Sequence, residues 1–97
     1  MITSKQRAYL RGLANTIPAL YQIGKGGVNE AVIKQLGEAL EANELIKVKI
    51  LENSDLELKT CAAQVADKTN SNIVQCIGKV FVLYRPRSDK EKRKIIL

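Results

Sequence analysis

Within this sequence, Gly24-Lys25-Gly26-Gly27 has the residue types and spacing best suited to chemistry. Glycines allow close backbone approach to an anion, and the lysine sets a positive charge at the tip. An apolar run from Ala19 to Ile23 precedes the turn, and an amphipathic segment opening at Asn29 follows it. Strand, glycine-rich turn and helix start together make a grip for phosphate, because the first N–H groups of a helix lack intrahelical partners and point outward. Gly24, Lys25, Gly26 and Gly27 are therefore the first candidate binding residues.

The same inspection argues against catalysis. The chain has no histidine, no G-x-S-x-G and no carboxylate pair that stands out from surface charge. G-x-x-x-x-G-K-[ST] is absent, and G-x-G-x-x-G is incomplete, since Asn29 stands where its last glycine would be. Cys61 and Cys76 form no C-x-x-C and read as small core residues. The expectation is a protein that is not an enzyme, with no cofactor, metal or small-molecule substrate. What the turn does fit is G-x-x-G, with which KH-type RNA modules clamp a run of backbone nucleotides.

Charge supports that direction. The 97 residues carry a net charge of +6, distributed unevenly. Residues 1–27 hold Lys5, Arg7, Arg11 and Lys25 without an acid. Residues 85–97 hold Arg85, Arg87, Lys90, Lys92, Arg93 and Lys94 against Asp89 and Glu91, while the middle is mildly acidic. Basic proteins steer toward polyanions, and phosphate contacts supply most non-specific affinity. Only Tyr9, Tyr21, Phe81 and Tyr84 are aromatic, so there is no platform for stacking bases and the RNP consensus is missing. Affinity should come from phosphates and shape. No run reaches the ~18 apolar residues of a membrane span, and the first residues lack the apolar stretch of a signal peptide, so a cytoplasmic protein without membrane contact is expected.

The positioning elements follow from local signals. Thr3 and Gln6 form a capping box opening a helix over Ser4–Ala14, which buries Tyr9 or Leu10 with Leu13 and Ile17 and shows Arg7 and Arg11, four apart, on one face. Pro18 ends it. Ala19–Ile23 reads as a strand. Asn29 caps a second helix with Val32, Ile33, Leu36, Ala39 and Leu40 inward and a wet ladder of Glu30, Lys34 and Glu38. Leu45–Leu51 alternates as a strand, Ile46, Val48 and Ile50 on one side and Lys47 and Lys49 on the other. Ser54 and Glu57 suggest a capping box for a third helix carrying Leu58, Cys61, Ala62, Val65 and Ala66. Asn72–Ile77 and Lys79–Tyr84 flank Gly78 as a tight antiparallel hairpin. The order αβαβαββ predicts an α/β fold: a mixed four-stranded sheet with three helices, in which strand–helix–strand crossovers give parallel neighbours. After Pro86 the chain should leave the sheet as a basic tail, 87–97, of one domain spanning 1–97.

Taken together, Gly24-Lys25-Gly26-Gly27, the segment Asn43-Glu44-Leu45-Ile46-Lys47-Val48-Lys49-Ile50, and Ile77-Gly78-Lys79 leading to Val82-Leu83-Tyr84-Arg85-Pro86 strongly resemble the CRM domain family, named for chloroplast RNA splicing and ribosome maturation. The likeness covers residues ~3–86 and is greatest to the bacterial stand-alone, YhbY-like members. It implies a fold similar to the C-terminal domain of translation initiation factor 3, RNA binding, and association with precursors of the large ribosomal subunit. The expected RNA-contacting set is Gly24, Lys25, Gly26 and Gly27 with Lys5, Arg7, Arg11, Lys47, Lys49, Arg85 and Arg87. An adaptor for a ribosomal protein or assembly factor, touching RNA only incidentally, is the alternative.

Overall fold

The computed structural model describes residues 2–24, 26–51, 57–95 and 97. Helix α1 (Ser4–Ala14) starts at the expected capping box: the Gln6 N–H donates to Thr3 Oγ1 at 3.1 Å and the Thr3 N–H to Gln6 Oε1 at 2.9 Å. Of the two inward candidates it is Leu10 that is buried, while Tyr9 is exposed. Strand β1 (Tyr21–Ile23) is shorter than expected, because the Leu20 N–H turns back onto the Pro18 carbonyl at 3.1 Å. Helix α2 (Glu30–Asn43) is capped by Asn29, whose Oδ1 accepts from the Val32 N–H at 2.9 Å. Strand β2 (Leu45–Ile50) follows.

Helix α3 (Leu58–Thr69) departs from expectation at its start. Ser54 lies outside the described residues, and Glu57 stands at the N-cap itself, not at the third helical position, without a side-chain capping bond. The helix begins where its inward apolar spacing begins. Strands β3 (Asn72–Ile77) and β4 (Val80–Tyr84) form the expected hairpin over Gly78 and Lys79. Gly78 alone of the two has positive φ, 60°, which a II′ turn places at its first residue.

Strand order is β1-β2-β4-β3, with β1 parallel to β2 and the other pairs antiparallel. The expected parallel adjacency therefore holds for the first crossover only. In the second, β3 is carried past a vacant position, and β4 folds back into it. Composition explains the outcome: Phe81, Val82, Leu83 and Tyr84 are all buried, so β4 needs cover on both faces and neighbours on both edges.

The pleat sorts the core into two. On one face Ile23, Ile46, Val48, Ile50, Phe81 and Leu83 pack under α2 and α3, meeting Leu36, Leu40, Cys61, Ala62 and Val65. On the other, Leu45, Val74, Val82 and Tyr84 meet Leu10 and Ala14 of α1, with Ile2 beside them. Val74 joins them from a bulge between Ile73 and Gln75.

The tail does leave the sheet, and it is tied back by Glu44. This residue is fully buried with φ 66° between α2 and β2, an unfavourable conformation for a residue with a side chain. Its Oε1 accepts from the N–H groups of Lys94 and Ile95, and its Oε2 from that of Arg87 at 3.3 Å. Its own carbonyl accepts from the Arg85 N–H at 2.8 Å. Further out, the Ser88 hydroxyl and N–H donate to Glu41 at 2.9 and 3.2 Å. Those bonds, with help from the charges of Arg85 and Arg87, hold the Glu41 carboxyl below its ordinary 4.5.

Two outcomes are expected. Glu44→Gln sets an NH₂ against an N–H donor whichever way the amide turns, so stability falls by about 2 kcal/mol in chemical denaturation and trypsin cuts the tail faster. For Glu41 the folded state holds the proton less tightly than the unfolded one. The stability gained through Ser88 is thus present above the unfolded value and lost as pH falls through the folded one. Acid titration of Ser88→Ala should show tail release, read by proteolysis, at higher pH than in the parent.

Candidate nucleic-acid interface

The glycine turn is set by its neighbours. The Leu51 N–H donates to the Ile23 carbonyl at 3.0 Å, carrying the β1–β2 ladder up to the turn and laying Leu51 against Gly24. A Cβ on Gly24 would stand 3.3 Å from Leu51 Cδ1, and one on Gly26 3.3 Å from Asn29 Nδ2. The Gly27 N–H donates to the Gly24 carbonyl at 3.0 Å, and Gly27 has φ 64°. Three glycines thus answer three different demands: packing beneath, a cap beside, and left-handed backbone at the exit. Lys25, between them, lies outside the described residues. The turn opens directly onto the capped N-terminus of α2, beside an open cleft of about 460 Å³ lined by Val28, Asn29, Glu30, Ile33, Lys34 and Lys68.

Strand register locates the other candidates. The glycine turn sits at the end of the sheet defined by Ile23, Ile50 and the β3–β4 turn. Helix α1 crosses the opposite end, where Leu45, Tyr84 and Asn72 lie in one row. Between them the α1 side of the sheet presents Lys47, Val82 and Gln75 in one row and Gln22, Lys49, Val80 and Ile77 in the next. Lys49 is exposed and Lys47 half-buried.

Lys5, Arg7 and Arg11 are all exposed on α1. Lys5, Gln6 and Tyr9 line a hollow with Leu97, so the tail occupies that flank. Arg7 and Arg11, roughly half a turn around the helix from Tyr9, are directed to the other flank of α1. The α1 side therefore gathers Lys5, Arg7, Arg11, Lys47 and Lys49, with Lys79 at the hairpin tip. No Asp or Glu stands among the described residues of α1, the glycine turn or these two rows. The α2–α3 side mixes Lys34, Lys59 and Lys68 with Glu30, Glu38, Glu41, Glu57 and Asp67. Lys79 escaped the sequence reading; its signal was its place in the turn that the β4 register brings beside Ile50.

Arg85 and Arg87 are not brought to this surface. Arg85 extends under α2 and α3, donating to the Thr69 carbonyl at 2.8 Å and the Gly37 carbonyl at 2.9 Å, 3.6 Å from Glu41. Arg87 donates to the carbonyls of Ala42 and Lys92. The Arg85 guanidinium thus serves α2 and the end of α3, and that of Arg87 the end of α2 and the tail.

Nucleophile chemistry has little support among the described residues. Burial pushes the thiols of Cys61 and Cys76 up from their ordinary 9.0, Glu57 adding to the effect at Cys61 and Lys59 opposing it at Cys76. No cluster of three or more His, Cys, Asp or Glu capable of holding a metal occurs among the described residues. None of the described helices is long and apolar enough to cross a membrane.

Known proteins resemble this chain in sequence and in fold. The profile of the CRS1 / YhbY (CRM) domain matches residues 2–85. A Bacillus subtilis protein named Probable RNA-binding protein YqeI is 43% identical over 97 residues, covering 100% of this chain and 99% of that one. A Haemophilus influenzae protein named RNA-binding protein is 35% identical over 89 residues, covering 91% and 89%. Among solved structures, the hypothetical protein SAV1595 of Staphylococcus aureus, described as an RNA-binding candidate, superposes with a TM-score of 0.80 at 46% identity over 100% of this chain and 99% of that one.

The turn geometry carries its own test. Gly27→Ala forces a side chain into left-handed backbone and should cost about 1 kcal/mol by thermal or denaturant unfolding. Lys25→Glu should leave the unfolding midpoint unchanged.

Proposed function

Because the chain belongs to the CRS1/YhbY (CRM) domain family, we propose that it is an RNA-binding protein, and that its RNA is ribosomal, within precursors of the large ribosomal subunit in the cytoplasm. The reading rests on one observation above the others: α1, the glycine turn and the two sheet rows between them carry no acid among the described residues, whereas the α2–α3 side mixes acids with bases. Phosphodiester chains carry one charge per nucleotide, and their binding rises with each cation that displaces a counterion. Backbone N–H groups at the start of α2 add hydrogen-bond donors suited to phosphate oxygens. Lys25 meets one phosphate at the turn, while Arg7, Arg11, Lys47 and Lys49 receive the strand across the sheet. The names of the Bacillus and Haemophilus relatives support RNA as the partner. The family resemblance supports the ribosomal assignment. No small-molecule substrate enters this scheme, and no catalytic step is assigned.

Affinity for a structured fragment of large-subunit RNA, measured across a salt series, tests it. Lys25→Glu and Lys49→Glu should each weaken binding and lower the slope of log K against log salt by roughly 0.7–0.9, the contribution of one phosphate contact. Lys59→Glu, on α3, should change neither. Equal slopes in all three variants would remove the glycine turn and the sheet from the interface. Crosslinking in cells with sequencing of bound RNA identifies the target, and a complex that persists through nuclease and high salt would point instead to a protein adaptor.

A further inference from the structure

The row nearest the glycine turn is not built only for phosphate. Gln22 pairs with Lys49, Lys49 with Val80, and Val80 with Ile77, so four side chains cross all four strands in one line spanning about 14 Å. Half of that line is apolar. Ile77 is 63% exposed, Val80 is half-buried, and the two are cross-strand neighbours. Gln75, two residues before Ile77 and on the same side of β3, brings an amide within reach of whatever lies on the pair. Around them stand Lys49 and Lys79, with no acid in this row or in the next one of Lys47, Val82 and Gln75.

From this arrangement we propose that Ile77 and Val80 seat an unpaired nucleobase of the bound RNA. The proposal rests on the RNA-binding reading above and deepens it by naming the kind of RNA the face selects. A paired base has its faces covered by its stack and its edge engaged, so a duplex offers this apolar pair nothing to cover it. A splayed base offers a flat apolar face for Ile77 and Val80 and a polar edge for the Gln75 amide. Its flanking phosphate falls to Lys49, one strand away on β2. The preferred target is then a helical RNA interrupted by unpaired nucleotides, with the helix backbone on α1 and the glycine turn and the loose base on the hairpin. Aliphatic side chains replace the usual aromatic platform, which makes the preference modest and tolerant of base identity.

Two RNAs and the full-length protein test this by fluorescence anisotropy at fixed salt: a fully paired hairpin, and the same hairpin opened by an internal loop of unpaired adenosines. Ile77→Ser removes an exposed side chain, and thermal unfolding verifies that the fold stands. It should weaken binding of the opened hairpin about three- to tenfold, the share of an isoleucine's burial that the site can use, and leave the paired hairpin unchanged. Ile77→Tyr, which provides a stacking ring, should tighten the opened hairpin by a similar factor. Lys49→Ala, which removes the cation for the flanking phosphate, should weaken the opened hairpin more than the paired one. If Ile77→Ser affects neither RNA, or both equally, the seat does not exist. If it spares RNA but abolishes capture of a nuclease-resistant protein partner, the pair is a protein dock instead. Failure of the unmodified protein to bind either RNA at low salt would overturn the RNA-binding reading itself.

Discussion

Everything functional in this molecule depends on an unequal division of cover. A four-stranded sheet has two faces, and the chain supplies two helices to one and a single eleven-residue helix to the other. Helices α2 and α3 close their face against Ile23, Ile46, Val48, Ile50, Phe81 and Leu83. Helix α1 covers only the end marked by Leu45, Val82 and Tyr84. What remains uncovered is a strip of sheet whose side chains face solvent instead of a core.

That strip acquires its electrostatic character from the same pleat that builds the core. Alternation along β2 sends Ile46, Val48 and Ile50 inward and therefore sends Lys47 and Lys49 outward together. The arginines of α1 stand on the same side of the sheet and remain exposed because Leu10 and Ala14, packed against it, fix the helix's rotation about its own axis. The acidic side chains of α2 and α3 stand beyond the core on the opposite face of the sheet. Charge separation of this kind orients a polyanion before contact, and it is produced by burial of hydrophobic residues, not by any interaction between the charges themselves.

Glu44 stabilises the other end. A buried carboxylate that accepts from three backbone N–H groups of the tail turns a highly charged segment into part of the structure. Arg85 and Arg87 complete the arrangement by satisfying carbonyls at the ends of α2 and α3. The phenol of Tyr84 responds to this setting: burial raises it first, the Glu44 charge raises it further, and Arg93 opposes them. Two basic ends in the sequence thus have different uses, since the tail's first cations are engaged internally while those of α1 face solvent.

Much of this was legible in the residues. The boundaries of α1, the Asn29 cap, the β3–β4 hairpin and the two sides of β2 follow from short-range signals, capping spacing, glycine at a turn and period-two alternation, which act within a few residues and need no tertiary context. The glycine turn and the family likeness were legible for the same reason. Tertiary structure alone decided what depends on distant partners. It placed β4 between β2 and β3, because only a central position buries both faces of Val80–Tyr84. It drew Arg85 and Arg87 away from the glycine turn, because carbonyls of α2 and of the end of α3, 16 to 48 residues earlier in the chain, lay within reach. It made Glu44 an anchor and Ile77 an exposed neighbour of Val80 and Lys79, for burial and register are properties of the assembled sheet and not of any segment that enters it.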